Sequence, residues 1–271
     1  MSRAVIDKRA SLSEAVQLVH DGDVLALGGM TLYRRPMAFV RELLQRRSPP
    51  RGLTLLCFTA SLESDLLVGA GMVSRVRSCY FGLEAFGLAP MFTKMATAGD
   101  IHFIEETEAS LAFGLRATLA GVSFMPGQGW IGTDLPRVRP DVKLIDDPYG
   151  SGQYVAFPAI HCDVAVIHAL RADWGGNAQI GRNMGVDPEL GLMSERVIVT
   201  AEEVVERLAG PIDVTSLRVD AVIHAPGGAK PTSCFPLYPL DGQEIMRYSE
   251  SCPDGFGSYL DAFLAADDPH H

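Results

Sequence analysis

The sequence has few cysteines, a deficit of positive charge and no long apolar run, and each shortage excludes a class of protein. Its five cysteines are odd in number, without Cys-x-x-Cys or clustered Cys/His spacing, so we expect neither a disulfide framework nor a metal site. The formal net charge of -10 argues against a surface for phosphate backbones, and we expect no nucleic-acid partner. No apolar run is long enough to span a bilayer, so we expect a cytoplasmic protein with reduced thiols and no membrane contact.

Short apolar runs alternate with helical patterns along most of the 271 residues. Three runs are apolar throughout, at residues 24–27, 164–167 and 197–199, and a fourth at 219–223 is apolar except for Asp220; such runs are typical of parallel strands covered on both faces. Further strands are predicted at 53–58, 76–80 and 101–104. Ser11 and Glu14 form a capping-box pattern that starts one helix, and Pro36 suits the first position of another. Further helices are predicted at 64–68, 90–98, 109–119, 201–208 and 257–265.

Strands that alternate with helices and are bounded by glycine predict an α/β protein. We expect an open, mainly parallel sheet with helices on both faces and right-handed crossovers. No internal repeat, low-complexity tract or charged linker divides the chain, so we predict a single domain over residues 1–271. Glycine and proline are frequent at 121–152, where we predict a loop-rich excursion.

The segment 21–36 contains the most informative motif. Its strand ends in Gly28 and Gly29 and runs towards a helix, which predicts uncovered amides at the carboxyl edge of the sheet, where open α/β sheets bind ligands. A nucleotide or thioester ligand fits this pattern, and a plain tight turn fits it equally well. The fingerprint Gly-x-Gly-x-x-Gly is absent after this strand, which argues against an independent Rossmann-type nucleotide-binding module.

The same segment resembles the N-terminal signature of family I coenzyme A transferase alpha subunits, in which Gly-Gly-Phe is followed by x-x-x-Gly-x-Pro. Met30 and Arg34 depart from this signature, and residues 31–37 are similar instead to the glutaconate-type branch, where a basic pair precedes the proline. Further blocks resemble the family in the same order along the chain, at 115–133, 162–178, 197–204 and 225–234. This collinear order is far more specific than any single block.

The resemblance implies a CoA-transferase (NagB/RpiA-like) fold and the alpha subunit of an acyl-CoA:carboxylate CoA-transferase of the glutaconate type. In such enzymes a glutamate of the beta subunit, in a Ser-Glu-x-Gly-type context, attacks the thioester. Glu195 and Glu250 each follow a serine here, but the residues after them do not fit that context. The resemblance therefore implies a beta-type partner in an α2β2 assembly, with a CoA thioester as substrate and no tightly bound cofactor.

Glu105, Glu106 and Glu108 lie between a predicted strand and a predicted helix. Acidic residues in a first turn can simply balance the helix dipole. Alternatively, Glu108 is catalytic and acts as a general base on the acyl chain. Ring-cleaving CoA hydrolases that resemble this family use a glutamate at the start of this helix. Acyl-CoA hydrolysis, ring cleavage and glutaconyl-CoA-type decarboxylation are therefore the alternatives to CoA transfer, and a purely structural role is a third possibility.

Arg34 and Arg35 are expected either to bind a substrate carboxylate or a CoA phosphate, or to be solvated charges before a helix. The glycine-rich residues of the excursion either cover the acyl group or form an ordinary flexible loop. The predicted substrate-binding residues are Gly28, Gly29, Arg34, Arg35, Gly127, Gln128, Gly129, Gly132 and Thr133. We interpret His168 as a hydrogen-bonded core histidine and Cys234 as a buried structural thiol.

Overall fold

Strands and helices alternate along the computed structural model, which describes residues 6–265. In chain order the strands are β1 Val24–Leu27, β2 Leu53–Cys57, β3 Val73–Ser78, β4 His102–Glu105, β5 Phe124–Gly127, β6 Lys143–Asp146, β7 Gln153–Pro158, β8 Val164–Asp173, β9 Ala178–Gln179, β10 Arg196–Val205 and β11 Val219–His224. The α-helices are α1 Leu12–Ala15, α2 Met37–Gln45, α3 Leu62–Gly69, α4 Pro90–Ala98, α5 Glu108–Ala120, α6 Leu135–Val138, α7 Asp187–Met193, α8 Gly242–Ser251 and α9 Phe256–Ala265.

The main sheet has eight strands within the described residues. The parallel strands follow the order β11-β10-β8-β1-β2-β3-β4, and β9 pairs antiparallel with β8. The chain starts near the middle at β1, adds β2, β3 and β4 on one side, and then adds β8, β10 and β11 on the other. β1 and β8 are therefore neighbours at the point where the strand order reverses direction. In open α/β sheets, ligands bind in the crevice outside the carboxyl ends of such a pair.

Both faces of the central strands are buried. In β1, Leu25 and Leu27 pack into a core shared with α2, α3, α8 and α9, whereas Ala26 packs into a second core beneath α5 and α7. Successive side chains of a strand point to opposite faces, so a strand buried on both sides must be apolar at every position. The prediction of an α/β sheet with helices on both faces is confirmed.

Local signals predicted several helix boundaries. Ser11 and Glu14 form the capping box at α1. Helix α4 spans the predicted residues, with Pro90 at its first position and Gly99 closing it in the left-handed region at φ 80°. Gly99 takes this conformation without the steric cost that a side chain would add.

The helix predicted at 201–208 is wrong, because β10 continues as a strand to Val205. Its second half pairs with β8, with Ala201 opposite Ala169 and Val205 opposite Asp173. Tertiary pairing overrides the helical preference that glutamate and alanine give to this segment. Helices α7 and α8 were not predicted.

Asp65 joins three helices in the first core. This buried carboxylate of α3 accepts hydrogen bonds from the amides of Met91 (3.1 Å) and Phe92 (2.6 Å) in α4, and from the Tyr248 hydroxyl (2.5 Å) in α8. Burial raises the pKa of Asp65 to about 6, and these hydrogen bonds oppose that rise.

The excursion predicted as loop-rich at 121–152 contains β5, α6 and β6. Together with β7 it forms a three-stranded antiparallel sheet within the described residues, in the order β5-β7-β6. A small core of Trp130, Val142, Val155 and Phe157 holds this sheet together, and Phe113 of α5 packs against it. The excursion is thus attached to α5, the helix that Glu108 begins.

Every helix between residues 6 and 265 is too short or too polar to cross a lipid bilayer.

Candidate active site at the switch point

The glycine pair lies at the β1/β8 switch point, but its amides are bonded within the chain. Gly28 N–H donates to the Val166 carbonyl (2.9 Å), and Gly29 N–H donates to both carboxylate oxygens of Asp187 (3.1 Å each). A Cβ on Gly28 would lie 2.9 Å from Asp187 Oδ1, so the glycine allows this carboxylate to approach. The prediction that these two amides are uncovered is wrong, because Asp187, distant in sequence, covers one of them.

One amide in the following turn has no acceptor in the described part of the chain. Met30 and Tyr33 exchange backbone hydrogen bonds of 2.9 Å, and Thr31 N–H donates to Thr59 Oγ1 at 2.7 Å. Of the amides from 28 to 35, that of Leu32 alone has no acceptor within residues 6–265. Leu32 is only 6% exposed, so this turn beside the switch point carries one buried backbone donor whose acceptor the described chain does not supply.

Arg34 is buried beneath the glycine pair. Its Nη1 donates to the His168 carbonyl (2.7 Å), and its Nη2 donates to the Asn183 carbonyl and to Asp187 Oδ2 (2.9 Å each). The side chain is 0% exposed, so the interpretation as a solvated charge is wrong. The guanidinium fastens the loop before α7 to the turn after β1, which is a scaffolding contact.

Arg35 is buried in the same way on the other face of the turn. Its guanidinium pairs with Glu63, whose side chain is also fully buried, and its Nη1 donates to the Thr59 carbonyl at 2.9 Å. Neither arginine presents its guanidinium to solvent, where a substrate carboxylate or CoA phosphate would arrive. Their buried carboxylate partners are distant in sequence, which explains why a local motif suggested two surface charges.

Glu108 and the glycine-rich loop of the excursion, residues 127–133, lie together at the start of α5. Thr107 caps this helix through a capping box with Ser110, and Glu108 is exposed in the first turn. Trp130 Nε1 donates to Thr107 Oγ1 (2.9 Å), and a Cβ built on Gly129 would lie 3.5 Å from Ala109 Cβ. Within residues 6–265 the Glu108 carboxylate has no hydrogen-bond or ion-pair partner.

The remaining loop residues differ in their surroundings. Gly127 is buried, and a Cβ there would meet Phe113 at 2.6 Å and Phe157 at 3.0 Å. Gln128 and Gly132 are exposed. Thr133 is also exposed, and both its amide (3.2 Å) and its hydroxyl (2.9 Å) donate to the Trp130 carbonyl. Trp130, which sequence reasoning missed, is the residue that anchors this loop beside Glu108.

The neighbouring glutamate, Glu106, belongs to the scaffold. It is buried, accepts a hydrogen bond from Ser110 Oγ at 2.5 Å and pairs with Arg139 Nη1 at 2.9 Å. Arg139 comes from the excursion and also pairs with Asp141 at 2.8 Å. Glu106 is thus part of an ion-pair network that docks the excursion, and Glu108 is the acidic residue in the first turn of α5.

Cys79, which sequence reasoning also missed, directly follows β3, the strand between β2 and β4 in the sheet. Its Sγ donates to the Phe58 carbonyl at 2.6 Å. Burial, and then the negative charge of Glu108, raise the pKa of Cys79 to about 11, so the thiol is protonated at neutral pH. Burial likewise raises the pKa of Cys234 to about 12, in agreement with its interpretation as a structural thiol.

His168 is a hydrogen-bonded core histidine, as predicted. Its Nδ1 lies 2.8 Å from Thr200 Oγ1 and its Nε2 lies 2.8 Å from Glu202 Oε1. Burial lowers the pKa of His168, so the ring is neutral at pH 7. Burial alone would raise the pKa of Glu202, but hydrogen bonds from His168, Tyr238 and the Gly227 amide hold it below its ordinary value. Because ionised Glu202 only accepts, His168 Nε2 carries the proton.

The carboxyl edge therefore has two parts: a turn at the switch point with one amide that lacks an acceptor in the described chain, and an exposed carboxylate beside a glycine-rich loop. They are three strands apart, which is roughly 14 Å at the usual strand spacing. The fold and this edge define an open α/β protein of the class that binds ligands outside the carboxyl ends of its parallel strands.

Comparison with known proteins identifies the family. The coenzyme A transferase family profile matches residues 9–225, and the chain belongs to this family. The chain is 32% identical over 263 residues to the A-type subunit of 3-oxoadipate CoA-transferase of Pseudomonas knackmussii, covering 94% of this chain and 92% of that one. It is 31% identical over 268 residues to the A-type subunit of glutaconate CoA-transferase of Acidaminococcus fermentans, covering 90% and 83%. The prediction of an alpha-type CoA-transferase subunit is confirmed.

Other relatives have different activities or lengths. The cholesterol ring-cleaving hydrolase IpdA subunit of Rhodococcus jostii is 32% identical over 282 residues, covering 96% of this chain and 92% of that one. An uncharacterized protein of Archaeoglobus fulgidus is 35% identical over 255 residues, covering 91% of this chain, and the chain spans 56% of that protein's length.

Solved structures agree with the fold. Glutaconate CoA-transferase from Acidaminococcus fermentans matches with a TM-score of 0.85 and 30% identity, covering 95% of this chain and 87% of that one. A variant of the decarboxylase AibA/AibB matches with a TM-score of 0.88 and 30% identity, covering 96% and 100%.

Proposed function

We propose that this chain forms one wall of an acyl-CoA site whose nucleophilic glutamate comes from a beta-type partner, in an α2β2 enzyme that transfers CoA between carboxylic acids. One observation carries this proposal. At the carboxyl edge, the buried carboxylates Asp187, Glu63 and Glu106 and the partly buried carboxylate Glu202 are all bonded within the chain. Within residues 6–265, the β1/β8 crevice is thus left without an available carboxylate of its own.

The two serine-linked glutamates support the same conclusion. Glu195 immediately precedes β10, at the amino edge of the sheet, and its amide donates to the Cys162 carbonyl just before β8. Glu250 lies within α8. Glu195 is thus at the edge opposite the carboxyl ends of the strands, where a bound thioester would react, and Glu250 is on a helix rather than at the end of a strand.

The reaction proposed by family resemblance proceeds through the partner's glutamate. Its carboxylate attacks the thioester carbonyl, and the tetrahedral intermediate expels CoA thiolate to give a mixed anhydride. The thiolate then attacks the glutamyl carbonyl of that anhydride, releasing the donor carboxylate and leaving a glutamyl-CoA thioester. The acceptor carboxylate reverses these steps. Each tetrahedral intermediate carries an oxyanion, and one well-placed donor contributes on the order of a hundredfold or more in rate.

In this scheme the described chain supplies walls and donors. The Leu32 amide is the available backbone donor at the switch point. The loop at 127–133 and the carboxylate of Glu108 enclose the far end of the crevice, where the acyl group would lie. The glycine pair and both arginines shape the crevice from beneath rather than touching the ligand.

A second candidate function rests on Glu108. Its carboxylate is exposed, without a partner in the described chain, and lies next to a loop anchored on the same helix. These are the properties of a general base that activates water or removes a proton from an acyl chain. Hydrolysis or carbon–carbon cleavage of an acyl-CoA would use this residue, and decarboxylation is the further alternative on this fold.

The test is co-expression with the neighbouring chain, followed by mass spectrometry of products from a panel of acyl-CoAs with acetate. Transfer yields acetyl-CoA, hydrolysis yields free CoA, and decarboxylation yields an acyl-CoA lighter by carbon dioxide. We expect acetyl-CoA, and we expect the alpha chain alone to be inactive.

Glu108→Gln separates the two functions, with Glu105→Gln as control because Glu105 is an exposed neighbour on β4. If transfer is the reaction, both variants keep turnover within about threefold. If Glu108 is a general base, Glu108→Gln alone loses about 10²–10⁴ in rate. Free CoA as the product, together with that loss, would replace CoA transfer with hydrolysis.

A further inference from the structure

The turn beside the switch point has an unusual backbone. Thr31 and Arg34 lie in the left-handed region, at φ 47° and 55°, although neither is glycine. Residues with side chains rarely adopt this region, and they keep it at functional sites only when surrounding contacts impose it. The Leu32 amide, which has no acceptor among residues 6–265, lies between them.

One segment supplies contacts that impose this conformation. Residues 225–238, which follow β11 and which we call the strap, bind the turn through Ser233. The Ser233 carbonyl accepts from Arg34 N–H (2.7 Å), and Ser233 N–H donates to the Leu32 carbonyl (2.9 Å). The strap also binds the start of α2, where Ala38 N–H donates to the Gly228 carbonyl at 2.9 Å.

Both ends of the strap converge on Glu202. Near the start of the strap, Gly227 N–H donates to Glu202 Oε2 at 2.6 Å. At its end, the Tyr238 hydroxyl donates to Glu202 Oε1 and accepts from Ala229 N–H at 3.0 Å. The same Oε1 accepts from His168 Nε2 of β8. A single carboxylate on β10 thus joins the strap to the strand that borders the switch point.

Ionisation is essential to this arrangement. A carboxylate offers acceptor sites on both oxygens, and Glu202 uses them for three donors. Glutamine has the same shape but one acceptor oxygen, so its amide nitrogen would face a donor. Hydrogen bonds to charged groups are also the stronger ones.

We propose that Glu202 is a positioning residue that, through the strap, holds the turn at 30–34 in its ligand-binding conformation. This inference rests on the proposed function only in taking the crevice beside the turn as the acyl-CoA site. Glu202 contacts no reacting atom. It acts on the reaction by fixing where the Leu32 amide lies.

The test compares three variants in the complex with the beta-type partner. Glu202→Gln removes one acceptor, and Tyr238→Phe removes one donor while leaving the carboxylate intact. Glu203→Gln is the matched control, since Glu203 is the next residue of β10 and forms an exposed surface pair with Arg171. Two quantities are measured: hydrogen exchange of the peptide covering 28–36, and kcat and KM with acyl-CoA.

In Glu202→Gln we expect hydrogen exchange at the amides of residues 28–36 to be about tenfold faster and kcat to fall about tenfold. We expect KM to change by less than about threefold. Tyr238→Phe changes both quantities in the same direction by less, and Glu203→Gln changes neither. Unchanged exchange in Glu202→Gln and Tyr238→Phe overturns the inference, and so does faster exchange with unchanged kcat.

The two proposals fail in distinguishable ways. A wild-type complex that turns over no acyl-CoA contradicts the proposed function, whatever the exchange data are. Unchanged exchange of the turn in the two network variants contradicts the role of Glu202, whatever reaction the complex performs. A fall in kcat with global rather than local loss of exchange protection would also contradict it, because the damage would then be general unfolding.

Discussion

Replacing Gly29 by alanine tests how tightly the turn at the switch point is built. Gly29 lies at φ 87°, and a Cβ built there would be 2.6 Å from both the Tyr33 and the Arg34 carbonyl oxygens. Real side chains do not approach backbone atoms so closely, so the turn must shift. Gly22 is the matched control, because it has a similar φ of 79° and no atom within 4 Å of a built Cβ.

The expected magnitudes follow from these two environments. The left-handed conformation costs a residue with a side chain about 1–2 kcal/mol, and both variants lose this amount. Gly29→Ala adds the steric conflict with two carbonyl groups, at about 1–3 kcal/mol for a forced backbone shift. We therefore expect Gly29→Ala to be about 2–5 kcal/mol less stable than the natural protein, and Gly22→Ala about 1–2 kcal/mol less stable.

Thermal unfolding gives the measurement. For a chain of 271 residues, the unfolding entropy converts each kcal/mol into a Tm change of about 2 °C. Gly22→Ala should lower Tm by about 2–4 °C and Gly29→Ala by about 4–10 °C. Equal Tm values for the two variants would refute the reasoning, because they would mean that the turn yields to a methyl group without cost.

The remaining predictions concern two buried charges. Arg34→Met leaves the buried carboxylate of Asp187 unpaired and should lower the unfolding free energy in urea by about 3–5 kcal/mol, and adding Asp187→Asn should restore part of it. Unchanged stability with weaker acyl-CoA binding would instead support the ligand-binding role that sequence predicted for Arg34. The raised pKa of Asp65 means that between about pH 4 and 6 the folded chain keeps a proton that the unfolded chain has released, so its stability falls as pH rises. Asp65→Asn should remove about 3 kcal/mol of this fall in unfolding free energy between pH 4 and 6. An equal fall in the natural protein and in Asp65→Asn over that range would contradict the prediction.

The sheet could be predicted from sequence because its central strands are buried on both faces. Such burial demands apolar residues at consecutive positions, and the runs in β1, β8 and β10 are visible without any structure. Helix α4 was predictable for a local reason, since proline and glycine mark its two ends. The second half of β10 was not, because its strand conformation depends on pairing with a neighbour.

The same distinction between local signals and long-range contacts applies to the candidate site. Glu108 was predictable as a first-turn carboxylate, and the glycine-rich loop as a feature of the excursion. Their proximity depends on the Trp130–Thr107 hydrogen bond, which no local spacing encodes. The partners of Arg34 and Arg35 were invisible for the same reason, since Asp187 lies 153 residues from Arg34. Sequence identified charged groups, and only the fold shows which of them are neutralised.

The attachment of the excursion has a consequence for how the enzyme can be altered. With β7 added, the segment begins at β5 and ends at β7, which are hydrogen-bonded neighbours with Phe124 opposite Pro158, so it leaves and rejoins the body at one place. Replacing this segment by one of a different length changes the entropy cost of loop closure only a little. The segment is therefore well suited to exchange between related proteins. A graft that keeps Trp130 and Arg139 would preserve the contacts with Thr107 and Glu106 while changing the surface beside Glu108.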